Sequence, residues 1–287
     1  MTLRLGSRAF GPHELAVMAI VNRTPDSFYD RGATFALAAA LDRIDQVVSE
    51  GADIVDVGGV KAGHGTAVSA EDEIERTVSL VEGTRRRHPD LVISVDTYRA
   101  AVADAVCAAG ADLVNDTWAG ADPGVAVVAA RRGAGLVCSH VGRQAPRTDP
   151  HRVAYDDVVT DVVTKTTALA ERAVAIGVHR DGILIDPTPD FGKNTWHTLQ
   201  LTRSLDELVG TGWPVLVSMS RKDFVGETLD IPVEERLPGT LAATAVAAWL
   251  GVRVFRAHDV IATRQVLDMV AAIRGSMPPR APRRGLA

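Results

Sequence analysis

Four apolar runs in this chain end on groups that do chemistry: Ile183-Leu184-Ile185 on Asp186, Val95 on Asp96, Val114 on Asn115, and Val254-Phe255 on Arg256. A charged or amide side chain at the end of a buried strand is costly to desolvate unless a donor, a counter-ion or a ligand meets it. Taken singly, each reads as well as a loop cap, an amide satisfying backbone groups, or a rim ion pair. Repetition of the pattern points instead to one shared polar pocket.

The elements that must position these residues alternate along the chain. Apolar runs that read as strands cover 16–21 (ending on Asn22), 53–57, 91–95, 112–114, 135–139, a run from 183, 215–219 and 252–255. Helical spacing covers 36–50, 70–87, 99–109, 123–132, 155–176, 196–209, 239–250 and 260–273. Eight strands alternating with eight helices over 287 residues predict an α/β fold, a (β/α)8 TIM barrel forming a single domain over 1–275. An open doubly wound sheet is the alternative. No Gly-x-Gly-x-x-Gly joins a first strand to a helix, however, and Gly192-Lys193 lacks the upstream glycine of a phosphate loop. In a barrel the site lies at the C-terminal ends of the strands, where Asn22, Asp56, Asp96, Asn115, His140, Asp186, Ser220 and Arg256 all fall. His140 by itself reads as a rim or core histidine. The spacing also predicts a hairpin over 3–15, turning at Gly11-Pro12, and a disordered Pro/Arg-rich tail over 276–287.

Composition narrows the partners. With 46% hydrophobic and 23% charged residues, the chain can bury a large core, and a net charge of -5 argues against a nucleic-acid surface. Small molecules are the expected partners. Cys107 and Cys138 have no metal-like spacing and read as buried thiols in a reducing, cytoplasmic compartment. No apolar run reaches the roughly 20 residues of a membrane span. The segment 241–250 is apolar on nearly every side, which means deep burial or a subunit contact, so a homodimer is expected.

Asn22-Arg23-Thr24-Pro25-Asp26-Ser27-Phe28, Asp56-Val57-Gly58-Gly59, Ser94-Val95-Asp96-Thr97, Asn115-Asp116, Asp186-Pro187, Phe191-Gly192-Lys193-Asn194, Ser220-Arg221-Lys222 and Arg256-Ala257-His258-Asp259-Val260 together closely resemble the dihydropteroate synthases. The resemblance covers nearly the whole chain. It implies a barrel that condenses 6-hydroxymethyl-7,8-dihydropterin diphosphate with p-aminobenzoate, releasing diphosphate, with Mg²⁺ as cofactor and a homodimer as the assembly. Asp96, Asn115, Asp186 and Lys222 match the pterin-recognising positions. Asn22, Arg256 and His258 match those at the diphosphate, with Asn22 at the metal. Phe28, Phe191 and Ser220 fall on the p-aminobenzoate side, where sulfonamide- or sulfone-like analogues would also sit. Asn22, Lys222, Arg256 and His258 are the implied catalytic set.

The chain departs from that family at two places. Where the family reads Glu-Ser-Thr-Arg-Pro-Gly, this chain has Val60-Lys61-Ala62-Gly63-His64-Gly65, so a hydroxyl and a bidentate anion clamp are missing. Losing a charged transition-state contact typically costs about 3 kcal/mol, a hundredfold or so in rate. Thr188 and Asp190 replace two glycines of the pterin pocket and Ser218 replaces a third, so side chains are expected to crowd the pterin. Arg23, Arg31, Lys61 and His64 either rebuild an anion site or are solvated loop charges. The leading expectation is a diverged paralogue with weak pterin affinity and little or no synthase activity. The alternatives are a working synthase, a binding or regulatory partner of a true synthase, and an enzyme acting on another phosphorylated ligand.

Overall fold

The computed structural model describes residues 1–24, 34–61, 63, 65, 67–142, 144–148 and 153–285. Phe28, Arg31, Ala62 and His64 lie outside the described residues.

The chain opens with a hairpin, β1 (Leu3–Leu5) and β2 (Arg8–Phe10), with Leu3 opposite Phe10. Its turn is at Gly6-Ser7 and not at Gly11-Pro12 as expected. Gly6 takes a φ of +56°, the left-handed conformation that a two-residue hairpin loop needs and that proline cannot adopt. Eight parallel strands follow: β3 (Ala16–Asn22), β4 (Ile54–Gly58), β5 (Val92–Asp96), β6 (Leu113–Asp116), β7 (Gly135–Ser139), β8 (Ile183–Asp186), β9 (Leu216–Val217) and β10 (Val254–Ala257). They pair in the order β8-β7-β6-β5-β4-β3-β10-β9, and a parallel bridge between Ile185 and Val215 joins the two ends into a barrel.

The helices between them are α1 (Leu37–Ser49), α2 (Ala70–Arg87), α3 (Ala100–Ala109), α4 (Gly124–Arg132), α5 (Val158–Ile176), α6 (Thr195–Arg203), α7 (Leu205–Gly210), α8 (Asp223–Leu229), α9 (Leu237–Trp249) and α10 (Val260–Ile273). Their ends are written in the sequence. In α2 the Ser69 hydroxyl accepts from Asp72 N, acids fill the first turn, and Arg85, Arg86 and Arg87 close the last. Helix α5 is capped by Asp157 and stopped by Gly177 in the left-handed conformation. The helix expected over 196–209 is instead two, broken at Ser204, and the strand expected over 215–219 shrinks to two residues. Pro214 has no N–H for the ladder, and Arg221, at φ +53°, turns the chain away. Helix α8 was not anticipated.

Alternation along the strands builds two cores. Val17, Val55, Ile93 and their kind face outward against the helices. Met18, Ile54, Val92, Leu113, Val137, Leu184, Leu216 and Val254 face inward and form a dry layer with Leu3, Leu5 and Phe10 of the hairpin, which plugs the bottom of the barrel. Arg253 ties that plug down by donating to the carbonyls of Met1 (2.7 Å) and Phe10 (3.0 Å). Two residues further along each strand, the inward positions become Ile20, Asp56, Ser94, Asn115, Ser139, Asp186, Ser218 and Arg256. The barrel interior therefore changes from oil to charge within one step of the pleat.

On the outside, α9 buries Thr240, Thr244, Ala247 and Ala248 but leaves Val246 and Trp249 exposed, as α10 does Met269 and Ile273. Among the described residues, no helix is long and apolar enough to cross a membrane.

The plug depends on a close approach at Gly135, where an added Cβ would lie 2.6 Å from the Gly182 carbonyl oxygen and 2.7 Å from Leu5 Cδ2. Gly135→Ala is expected to lower stability by about 2 kcal/mol through overpacking, and Leu5→Ala by about 3 kcal/mol through a cavity. Urea unfolding should show lower midpoints with unchanged slopes in both variants.

Candidate functional site

Above the dry layer the strands end around a cavity of about 270 Å³. Its wall includes Asn22, Lys61, Asp96, Phe191, Ser220, Lys222, Arg256 and His258, each of which the sequence nominated, together with the divergent Gly63, Asp190 and Ser218. Asn115 and Asp186 are buried outside that wall. Larger recesses lie between Gly142, Tyr155 and the start of α5 (about 860 Å³) and between α1 and the start of α10 (about 520 Å³), but they gather fewer of the converging groups.

Arg256 organises the charges. Its Nε donates to Asp56 Oδ2 at 2.6 Å and its Nη2 to Asp96 Oδ2 at 3.3 Å. Asp56 is fully buried and also accepts from Ser94 Oγ (2.5 Å) and Asn115 Nδ2 (3.2 Å). Thr117 Oγ1 donates to Asp96 Oδ1 at 2.6 Å. Burial pushes the Asp96 carboxyl up to about 7, with Asp56 adding to it and Arg256 opposing. Burial works against the Arg256 charge too, but Asp56 and Asp96 hold it firmly protonated. Sequence reasoning placed Asp56 at the right face without giving it a role. The signal was there, because Asp56 follows Ile54 by two residues on the inward side of β4.

On the opposite side, Asp186 accepts from the Thr188 backbone N–H at 2.6 Å, and its carboxyl is raised by burial against the pull of Lys222. Lys222 Nζ donates to the Pro189 carbonyl (2.5 Å) and stands 5.1 Å from the Phe191 ring centre. Burial lowers its pKa while Asp190 and Asp186 support its charge. Lys193 is buried against three carbonyl oxygens, those of His140, Thr188 and Phe191, at 2.9, 3.2 and 2.9 Å. Burial draws it down to about 7, yet three acceptors suit an ammonium with three protons. His140 is a core histidine: its Nε2 lies 2.7 Å from Asp161 Oδ2, and burial with Lys193 nearby pulls it down to about 4.

Ser220 and His258 form a matched pair. The Ser220 oxygen accepts from the His258 backbone N–H at 3.2 Å and lies 3.0 Å from His258 Nδ1. The hydroxyl can give its one proton to a bare Nδ1 or accept from a protonated one, so the pair fixes the ring's orientation in either tautomer.

The divergent residues behave differently from one another. Thr188 and Asp190 keep left-handed backbone (φ +49° and +69°) that only glycine adopts freely. Thr188 does not crowd the cavity as expected. Its Oγ1 donates to the Asp186 carbonyl (3.1 Å) and accepts from His140 N (3.3 Å), which draws the side chain into the wall. Asp190 lines the cavity, but its oxygens are engaged by Thr198 Oγ1 (3.1 Å) and by the Phe224 N–H of α8 (3.2 Å), so it acts as a strut between β8 and two helices. Arg23 is likewise committed, donating to Phe35 O, Arg76 O and Ser79 Oγ, and is no replacement anion clamp. Asp223, which immediately follows Lys222, lines the cavity and was missed.

Two expectations follow. Arg256→Ala should destabilise the fold by about 3 kcal/mol at pH 8, because it strands the buried Asp56 carboxylate. Asp96 holds a proton in the folded state between about pH 4 and 7 that the unfolded chain gives up, so its contribution to stability falls as pH rises through that window. Asp96→Asn should therefore stabilise the protein by on the order of 2 kcal/mol at pH 8 and leave it nearly unchanged at pH 4. Denaturant titrations at the two pH values check both.

The comparisons agree with this geometry. Residues 18–258 match the model of a family described as pterin binding enzyme. The chain is 62% identical over 275 residues to a protein of Mycobacterium leprae named inactive dihydropteroate synthase 2, covering 94% of each. It is 35% identical over 254 residues to the dihydropteroate synthase of Haemophilus influenzae, covering 88% of this chain and 92% of that one. The crystal structure of Yersinia pestis dihydropteroate synthase with a sulfonamide drug complex superposes with a TM-score of 0.91 at 36% identity, covering 96% of this chain and all of that one. With the barrel, the tier of charges and a match over most of its length in hand, the chain belongs to the pterin binding enzyme family.

Proposed function

We propose that this chain is a dihydropteroate-synthase-like barrel that keeps the pterin-recognising charges and has lost most or all of the synthase activity. One observation carries the reading. Gly63 stands in the cavity wall where the family has its arginine clamp, and a Cβ built there meets nothing within 4 Å. Among the described residues, no side chain fills that space. Arg256 keeps its place in the cavity wall, with Nε engaged by Asp56 and Nη2 by Asp96.

The retained groups suit a pterin. Asp96, Asn115 and Asp186 present acceptors and an amide in a buried setting, and Lys222 stands beside Phe191 at the rim of the same cavity. Carboxylates near a developing positive charge on the pterin methylene carbon would stabilise it more than the ground state. At the other end, the diphosphate would meet Asn22, Lys61, Arg256 and His258. Among the described residues, no group of three or more His, Cys, Asp or Glu could hold a metal ion. Asn22 alone offers one amide oxygen, so Mg²⁺ fits only as an ion brought by the diphosphate and steadied by that oxygen. Lys61 is what favours the second reading, a residual synthase with a substitute clamp. The neighbourhood of Phe191 and Ser220 is the proposed seat of the aromatic amine, of the ring class to which p-aminobenzoate and the sulfonamides belong.

The exposed Val246 and Trp249 of α9 beside Met269 and Ile273 of α10 support a homodimer through that face. The unpaired Cys107 and Cys138 fit a reducing compartment such as the cytoplasm.

Calorimetric titration with the pterin diphosphate and Mg²⁺, alongside diphosphate release in the presence of p-aminobenzoate, tests the main reading. Weak binding and release at least about a hundredfold below that of the Haemophilus influenzae synthase are expected. Micromolar binding with steady release would overturn it in favour of the Lys61 clamp. The pair Ala62→Thr with Gly63→Arg should raise release about tenfold or more. Trp249→Glu should convert the dimer to a monomer in analytical ultracentrifugation.

A further inference from the structure

The Phe191 end of the cavity is built for a ring. Phe191 is held edge-on by Trp118, with ring centres 5.6 Å apart and planes inclined by 71°. Lys222 stands over its face, and Ser218 and Ser220 complete that part of the wall.

The charges around this end are unusual for a site that takes an aryl carboxylate. Lys222 is the nearby cation, but its Nζ is bonded to the Pro189 carbonyl and its charge is balanced by Asp190 and Asp186. The Phe224 N–H at the start of α8 is already taken by Asp190, so that backbone donor is not available to an incoming anion. Asp223 then adds a second carboxylate to the wall. Its side chain is 67% exposed, and Arg236 engages only Oδ1, at 2.8 Å. Among the described residues, none donates a hydrogen bond to Asp223 Oδ2.

We propose that this end of the cavity selects an aromatic amine whose far substituent is neutral or cationic and rejects an aryl carboxylate, with Asp223 as the selecting residue. The inference rests on the reading of the cavity as a pterin and aryl pocket and names the second ligand's charge class. A carboxylate brought within several ångströms of Asp223 meets like charge at a partly solvated site, and the penalty there is about tenfold in affinity. A cation in the same place gains by a similar factor.

The test is a comparison of three isosteric probes, p-aminobenzoate, p-aminobenzamide and p-aminobenzamidine, titrated into the full chain and followed by ligand-observed NMR. The amide and the amidine are expected to bind at least about tenfold more tightly than the acid, and Asp223→Asn should narrow that gap to about threefold or less. Asp223→Ser, which also removes the charge at this exposed position, should do the same. Equal affinity for the acid, an unchanged gap in both variants, or no binding of any probe would overturn the proposal. Failure of the pterin diphosphate to bind bears on the proposed function separately, because the probe titrations do not depend on it.

Discussion

The buried guanidinium of Arg256 is the interaction on which the upper half of the barrel depends. Asp56 is fully buried, and a lone carboxylate in that position would be intolerable. Arg256 makes it tolerable, Ser94 and Asn115 take up its remaining lone pairs, and Asp96 completes the set on the cavity side. A network satisfied in this way is rigid, and rigidity is what a recognition surface for a planar heterocycle requires. The same closure fixes the plane of the guanidinium, so the donors it has left can reach the cavity in only one orientation.

Divergence has touched this network less than its surroundings. Asp96, Lys222 and Arg256 line the cavity and Asn115 and Asp186 are buried near it, whereas Lys61, Gly63, Thr188 and Asp190 lie in the loops at the mouth. Two of those changes are instructive because they do opposite things. Thr188 was expected to intrude and is instead drawn into the wall by Asp186 and His140. Asp190 does reach the cavity, yet it spends its oxygens bracing α6 and α8. Both keep a left-handed backbone that glycine would adopt without strain, so each exchange has a conformational cost that its hydrogen bonds offset.

Much of the architecture was legible because strand and helix periods are local properties. The limits of α2 and β7 follow directly from spacing and end signals, such as the Ser69 cap and the run of basic residues at 85–87. What escaped was decided by tertiary contacts or by brevity. Helix α8 spans only seven residues and contains Gly226, too short for a period to show. The break at Ser204 and the turn at Gly6-Ser7 each depend on which of two plausible positions the core prefers. At the site, alternation told which side of a strand a residue faces, so Asp56, Asp96 and Arg256 could be brought together on paper. It could not tell that Arg23 would be consumed by α2, nor that Asp223 would line the same cavity as Phe191.

The plugged floor has a consequence for how such a protein could arise. Below the tier of charges the barrel is already complete, with its own dry layer, its hairpin stopper and Arg253 as the fastener. Loop exchanges at the mouth therefore leave the packed lower layer intact, and a lineage released from selection for catalysis could discard the clamp, the glycines and the charge pattern one at a time. Every intermediate along that route would still keep the packed floor of the barrel and stay open to recruitment for a different ligand.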